Sequence, residues 1–200
     1  MHAEPDLIYC YPDSNVLINL LNLRDGEALK KAERIFTSAR LIELMRNPVQ
    51  GSFDLEHLKR IHHYIFQDLY SWAGQLRRVE IAKGLYFCRA QYIEAQAANL
   101  FKQLKREQYL KGCSHEELIK KTAWYFSEIN AIHPFRDGNG RAQREFIREL
   151  LLNLGVSLSW QPIKPEQMIE ASIASFQGKY GLMEQIFEQC IGVDPQLDKP

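Results

Sequence analysis

A mostly α-helical single domain with one small β-hairpin is the fold class this sequence predicts, and three observations carry the prediction. Apolar residues recur at helical spacing over most of the chain, with helix-start signals in front of them. Only the stretch around Lys83-Gly84 alternates as a strand pair does. Finally, 200 residues with 46% hydrophobic side chains suffice for one core, and no internal repeat or low-complexity tract suggests another architecture.

Taken in order, Ser14 can cap a short helix over 14–23, and Asp25 a longer one carrying Leu29, Ile35, Leu41 and Leu44. Asp54 opens a third helix, with Leu58, Ile61, Ile65 and Leu69 on one stripe. After Trp72-Ala73-Gly74 the pattern changes, and Val79, Ile81, Tyr86 and Phe87 flank Lys83-Gly84 in a hairpin over 77–88. Helix resumes near Gln91, runs through Leu104 and is broken by Gly112. Ser114 and Glu117 then form a capping box, each side chain satisfying a free backbone amide, ahead of a buried face of Leu118, Tyr125, Ile129 and Ile132. Phe146, Leu150 and Leu154 mark the next stripe, which Gly155 ends. Helices over Pro165–Phe176 and 182–191 complete a domain spanning 1–193, with its core at about 54–154 and a loose tail at 194–200.

The balance of 25 basic against 25 acidic side chains argues against bulk nucleic-acid binding, though not against a nucleotide, which needs only a local cluster of donors. No apolar run approaches the roughly 20 residues of a membrane span, and the start lacks the pattern of a secretory signal. Four dispersed cysteines form no C-x-x-C pair. A cytoplasmic protein is expected.

Chemistry concentrates in residues 133–144, His-Pro-Phe-Arg-Asp-Gly-Asn-Gly-Arg-Ala-Gln-Arg. Pro134 resists helix continuation, so the chain should leave its helix at His133. Asp137-Gly138-Asn139-Gly140 permits a tight bend with inward-facing amides, because glycine accepts positive φ. A helix starting near Arg141 would then point its free amides and positive dipole end at whatever the loop cradles, which suits an anion. Arg141, Arg144 and Arg148 share one helix face, the first two near enough to grip phosphates and the third expected in solvent.

This segment resembles the signature of the Fic family (filamentation induced by cyclic AMP), H-x-F-x-[DE]-G-N-G-R-x-x-R. His133, Phe135, Asp137, Gly138, Asn139, Gly140, Arg141 and Arg144 all match. The stretch at 9–23, Tyr70-Ser71-Trp72-Ala73-Gly74 and the hairpin are also similar to parts of small bacterial Fic proteins, so the resemblance covers nearly the whole chain. It implies a Fic-type helical bundle with the hairpin as a flap. It also implies transfer of AMP from ATP to a Tyr, Ser or Thr hydroxyl of another protein. His133 would be the base and Asp137 the ligand of Mg²⁺. Gly138, Asn139, Gly140, the loop amides and Arg141 would hold the triphosphate, and Arg144 its γ end. Phe135 would anchor the loop in the core. The target would pair along the 77–88 flap, with Lys83 and Gly84 near the nucleotide.

Many members carry an inhibitory helix, [ST]-x-x-x-E-[GN], directed at the second motif arginine. The nearest sequence here, Ser52 to Glu56, is followed by His57 and lies in a core helix. The resemblance therefore implies an antitoxin-like partner acting in trans on Arg144, with topoisomerase subunits as targets by analogy. Transfer of UMP, phosphocholine or phosphate, and a non-catalytic nucleotide-sensing or partner-binding module, are the alternatives. The intact G-N-G-R core favours AMP, and the intact His133 favours an enzyme. His62-His63 reads as structural rather than metal-binding, the three tryptophans as core or interface, and Lys102, Lys105, Arg106 and Lys111 as a solvated face.

Overall fold

The computed structural model describes residues 8–83 and 85–192. Its helices are α1 (Gly26–Arg46), α2 (Leu55–Phe66), α3 (Ile93–Arg106), α4 (His115–Ile132), α5 (Asn139–Leu152), α6 (Pro165–Phe176) and α7 (Gly181–Cys190). Strands β1 (Ala82–Lys83) and β2 (Leu85–Tyr86) pair antiparallel, Ala82 opposite Tyr86 and Lys83 opposite Leu85. Among the described residues this is the one sheet, and the mostly helical class agrees with the sequence.

Local signals set most boundaries. Asp25 caps α1 through Ala28 N–H, Asp54 caps α2 through His57 N–H, and the Ser114–Glu117 capping box opens α4. Helices α4 and α5 form the centre: α5 packs against α2 and α4, while α7 lies across α4 and α6. Ile61, Ile65, Phe66, Phe135, Phe146, Ile147, Leu150 and Phe187 have no measurable exposure, and they join these helices into one core.

Several expectations need correction. Residues 14–23 form no helix; they turn around an isolated bridge between Cys10 and Leu17. Ser14 Oγ accepts from Val16 N–H, and the Asn19 carboxamide bonds Leu17 O, Leu23 O and Leu23 N–H. These side chains satisfy the backbone locally, and so short a segment gains too little to nucleate a helix. Helix α2 stops at Phe66, yet Leu69 stays fully buried in the following turn. Helix α3 ends at Arg106, ahead of Gly112, in a turn in which Gln108, Tyr109 and Leu110 all take positive φ. The tail at 194–200 lies outside the described residues.

Candidate active site

Helix α4 ends where Pro134 predicts. His133 caps its C-terminal end, with φ 48° and ψ 62° in the left-handed region, and its N–H donates to Ile129 O at 3.0 Å. Left-handed backbone at a non-glycine residue is sparsely populated and held only by its surroundings. Here the Arg77 Nε donates to His133 O (2.8 Å), and Arg77 N–H donates to Pro134 O (2.9 Å). The His133 ring lies parallel to Phe87, centroids 3.7 Å apart, so the residue that follows β2 packs against the imidazole face.

The loop is closed on itself. Asn139 Oδ1 accepts from Phe135 N–H (2.9 Å) and Asn139 Nδ2 donates to Phe135 O (2.8 Å), so both ends of the carboxamide are engaged by one residue's backbone. Phe135 is fully buried and stacks on His62 at 3.9 Å, as expected of an anchor. His62 adds a second tie: its Nε2 donates to Asp137 O (2.9 Å), and its Nδ1 accepts from Gly74 N–H (2.9 Å). That pairing fixes a neutral tautomer, and burial pushes the His62 pKa down to about 3. The Asp137 side chain remains exposed, its Oδ1 accepting from Gly138 N–H.

Helix α5 starts at Asn139, two residues earlier than expected, and no side chain caps it. Gly138 precedes it with φ +76°, and a Cβ there would come within 2.2 Å of the Phe66 ring. Gly140 serves differently from the sequence reading. It is helical, and its missing Cβ leaves room for Arg144, whose Nη1 lies 3.3 Å from where that carbon would sit. Arg144 therefore folds back over the open first turn of α5. No hydrogen bond or ion pair joins it to another described residue, while burial, with the like charge of Arg141, pushes its guanidinium below its usual range. Free amides, a dipole end and a half-buried cation together make a corner suited to an anion.

Arg141 differs. It pairs with Glu33 of α1, reaches Thr37 Oγ1 at 3.4 Å, and rests 4.6 Å over the Phe66 ring. Tyr70 OH also donates to Glu33 (2.7 Å). Arg148 is not in solvent: it pairs with the buried Glu145 and donates to Leu44 O at 3.1 Å. A buried carboxylate on the preceding turn draws it inward. Glu56, from the rejected inhibitory pattern, pairs with Lys59.

The structure thus gathers His133, Asp137, Gly138, Asn139, Gly140, Arg141 and Arg144 at one helix junction. Gly84 and the Lys83 side chain lie outside the described residues. Arg77, Phe66 and Glu33 escaped the sequence reading because each reaches the loop from a distant segment, with no local pattern to announce it.

Fold and site together define a helical domain built around an open helix end suited to an anion. The Fic/DOC family model matches residues 52–151, and the chain belongs to that family. It is 39% identical over 182 residues to the protein adenylyltransferase VbhT of Bartonella schoenbuchensis, covering 90% of this chain and 38% of that protein's length. It is also 39% identical to the "Probable protein adenylyltransferase Fic" of Salmonella typhimurium, covering 92% of this chain and 91% of the relative. Among solved structures, the N-terminal Fic domain of a VirB-translocated Bep effector from Bartonella quintana, with bound ADP, superposes with TM-score 0.88 at 26% identity, covering 94% of this chain and 96% of that one. BepC of Bartonella tribocorum with bound AMPPNP superposes with TM-score 0.84 at 26% identity, covering 92% and 95%.

Proposed function

We propose that this chain transfers AMP from ATP to a hydroxyl of a target protein. The observation that carries the reading is the uncapped start of α5, with the half-buried Arg144 over it and His133 at the end of the preceding helix. Related chains named protein adenylyltransferase, and a related domain with bound AMPPNP, support it.

In this mechanism the α5 amides and Arg144 receive the phosphates, and Arg141 contributes once its pairing with Glu33 is shared with them. The Asn139 carboxamide acts through the loop, holding its amides in register. Neutral His133 takes the proton as the target oxygen bonds to the α-phosphorus; the bond from that phosphorus to the pyrophosphate oxygen breaks, and its electron pair leaves with pyrophosphate. A histidine suits this step because an unperturbed imidazole, with a pKa of about 6.5, has a neutral form available near pH 7. Positioning and charge neutralisation supply most of the rate.

Magnesium fits the donor set. Among the described residues no group of three or more His, Cys, Asp or Glu could hold a metal ion, but the exposed Asp137 carboxylate suits an ion that takes one protein ligand and substrate phosphates. When bound, the ion would neutralise phosphate charge.

The 77–88 segment serves as the flap along which an extended stretch of target pairs. Small toxin-type members make topoisomerase subunits the first targets to try, and an inhibitor acting in trans would offer a carboxylate to Arg144. Among the described residues no helix is long and apolar enough to cross a membrane, and ATP as co-substrate puts the reaction in the cytoplasm.

The test is incubation with Mg²⁺ and either α- or γ-labelled ATP in a bacterial lysate, beside His133→Ala. Protein labelled from the α position alone, and not by the variant, is expected. Label from the γ position would mean a kinase, and none from either would end the proposal for the isolated chain.

A further inference from the structure

Arg77 follows the turn at Gly74 and precedes the hairpin, and it is 2% exposed. Its guanidinium spends its donors on main-chain oxygens: Nε on His133 O (2.8 Å), Nη1 on Val79 O (2.8 Å), and Nη2 on Cys88 O and Ile132 O, the latter at 3.4 Å. Two of these acceptors are the last carbonyls of α4, where the helix dipole is negative. The other two are the feet of the hairpin, one on each side. The nearest carboxylate, Glu80, is half-exposed and 3.8 Å away. A buried cation is costly unless every donor is engaged, and a planar fork meets acceptors in several directions as a lysine ammonium cannot. The parallel bond from Cys88 N–H to Ala131 O (3.0 Å) ties the same foot to the same helix. Phe87, one residue before that foot, is the ring against which His133 lies.

We propose that Arg77 is a positioning residue for the transfer reaction, clamping both feet of the hairpin to the end of α4 so that the His133 ring and the target-pairing edge keep one geometry. The proposal rests on the reading of His133 as base and of 77–88 as the docking edge. The device is chemically specific: deleting the fork frees the hairpin and the His133 carbonyl together, while the α5 end and Arg144 stay as they are.

The test uses the full chain with Arg77→Lys and Arg77→Met. Incorporation of α-label at saturating ATP should fall roughly 10- to 100-fold, the scale of a small misplacement of a reacting group. The ATP concentration for half-maximal rate, and the affinity for a non-hydrolysable ATP analogue, should change less than threefold. A rate within twofold of wild type overturns the proposal, as does affinity falling in step with rate. Hydrogen exchange on the wild type decides the matter if the variants fail to fold. The Arg77 and Cys88 amides should exchange within threefold of each other and more slowly than the Phe87 amide, and a wider split overturns the clamp. If the wild type transfers no label, the functional reading fails, while exchange still judges the clamp.

Discussion

His62 joins α2 to the active loop, and His62→Phe measures that joint. Phenylalanine keeps a ring beside Phe66 and Phe135 but removes the donor to Asp137 O and the acceptor for Gly74 N–H. Each abandoned backbone group costs ~1–3 kcal/mol, so the loss of two at pH 7 is about 2–6 kcal/mol. At ~2–4 °C per kcal/mol for a domain of this size, Tm should drop by about 4–24 °C. The pH dependence is the sharper readout. Burial first, then repulsion from Arg141 and His63, holds the His62 pKa at about 3 against the opposing pull of the Asp137 carbonyl, whereas an unfolded histidine titrates near 6.5. Between these values the unfolded chain binds a proton that the folded chain refuses. The stability this residue supplies is therefore complete above about pH 6.5 and is lost as pH falls toward 3, tenfold in the folding constant per unit. By pH 4.5 the wild type has lost roughly 3 kcal/mol that the variant never had. Chemical denaturation of both proteins without nucleotide or magnesium, at pH 7, 5.5 and 4.5, should show the gap between them closing. A gap that stays constant or widens would refute a neutral buried imidazole at position 62.

Two further substitutions probe the same architecture. Gly138→Ala adds a Cβ at φ +76° and 2.2 Å from the fully buried Phe66 ring; left-handed strain and overpacking together should cost ~2–5 kcal/mol in urea denaturation, and a loss under 1 kcal/mol would mean the loop shifts freely. Arg148→Met leaves Glu145 buried without its cation, at a cost of ~3–5 kcal/mol by the same measurement. Adding Glu145→Leu should restore most of that loss, and failure to do so would mean that Arg148 acts through its bond to Leu44 O.

What the sequence discloses and what it hides divide along the reach of the interactions. The Asp25, Asp54 and Ser114 caps act over three residues, so each start could be read directly. The loop was legible for the same reason, since a base, a carboxylate, glycines and arginines fall within twelve positions. Arg148 was misread because its partner Glu145 had to be judged buried before the arginine could be drawn inward. Residues 14–23 were misread because apolar spacing suggested a helix while Asn19 was satisfying the backbone on its own. Arg77 and His62 reach across 56 and 75 positions to the loop, and no spacing rule covers such distances.

The clasp between Asn139 and Phe135 also bears on how the protein ages. Asn139 precedes Gly140, and an asparagine before a glycine is chemically fragile, because the following amide nitrogen can attack the side-chain carbonyl and convert the residue to aspartate. Here the carboxamide is held at both ends by the Phe135 backbone, and the attacking amide belongs to the first turn of a helix. An aspartate produced there would accept from Phe135 N–H but could not donate to Phe135 O. Deamidation would therefore open the loop that had prevented it, and its slow appearance on storage would record how often the loop unlatches.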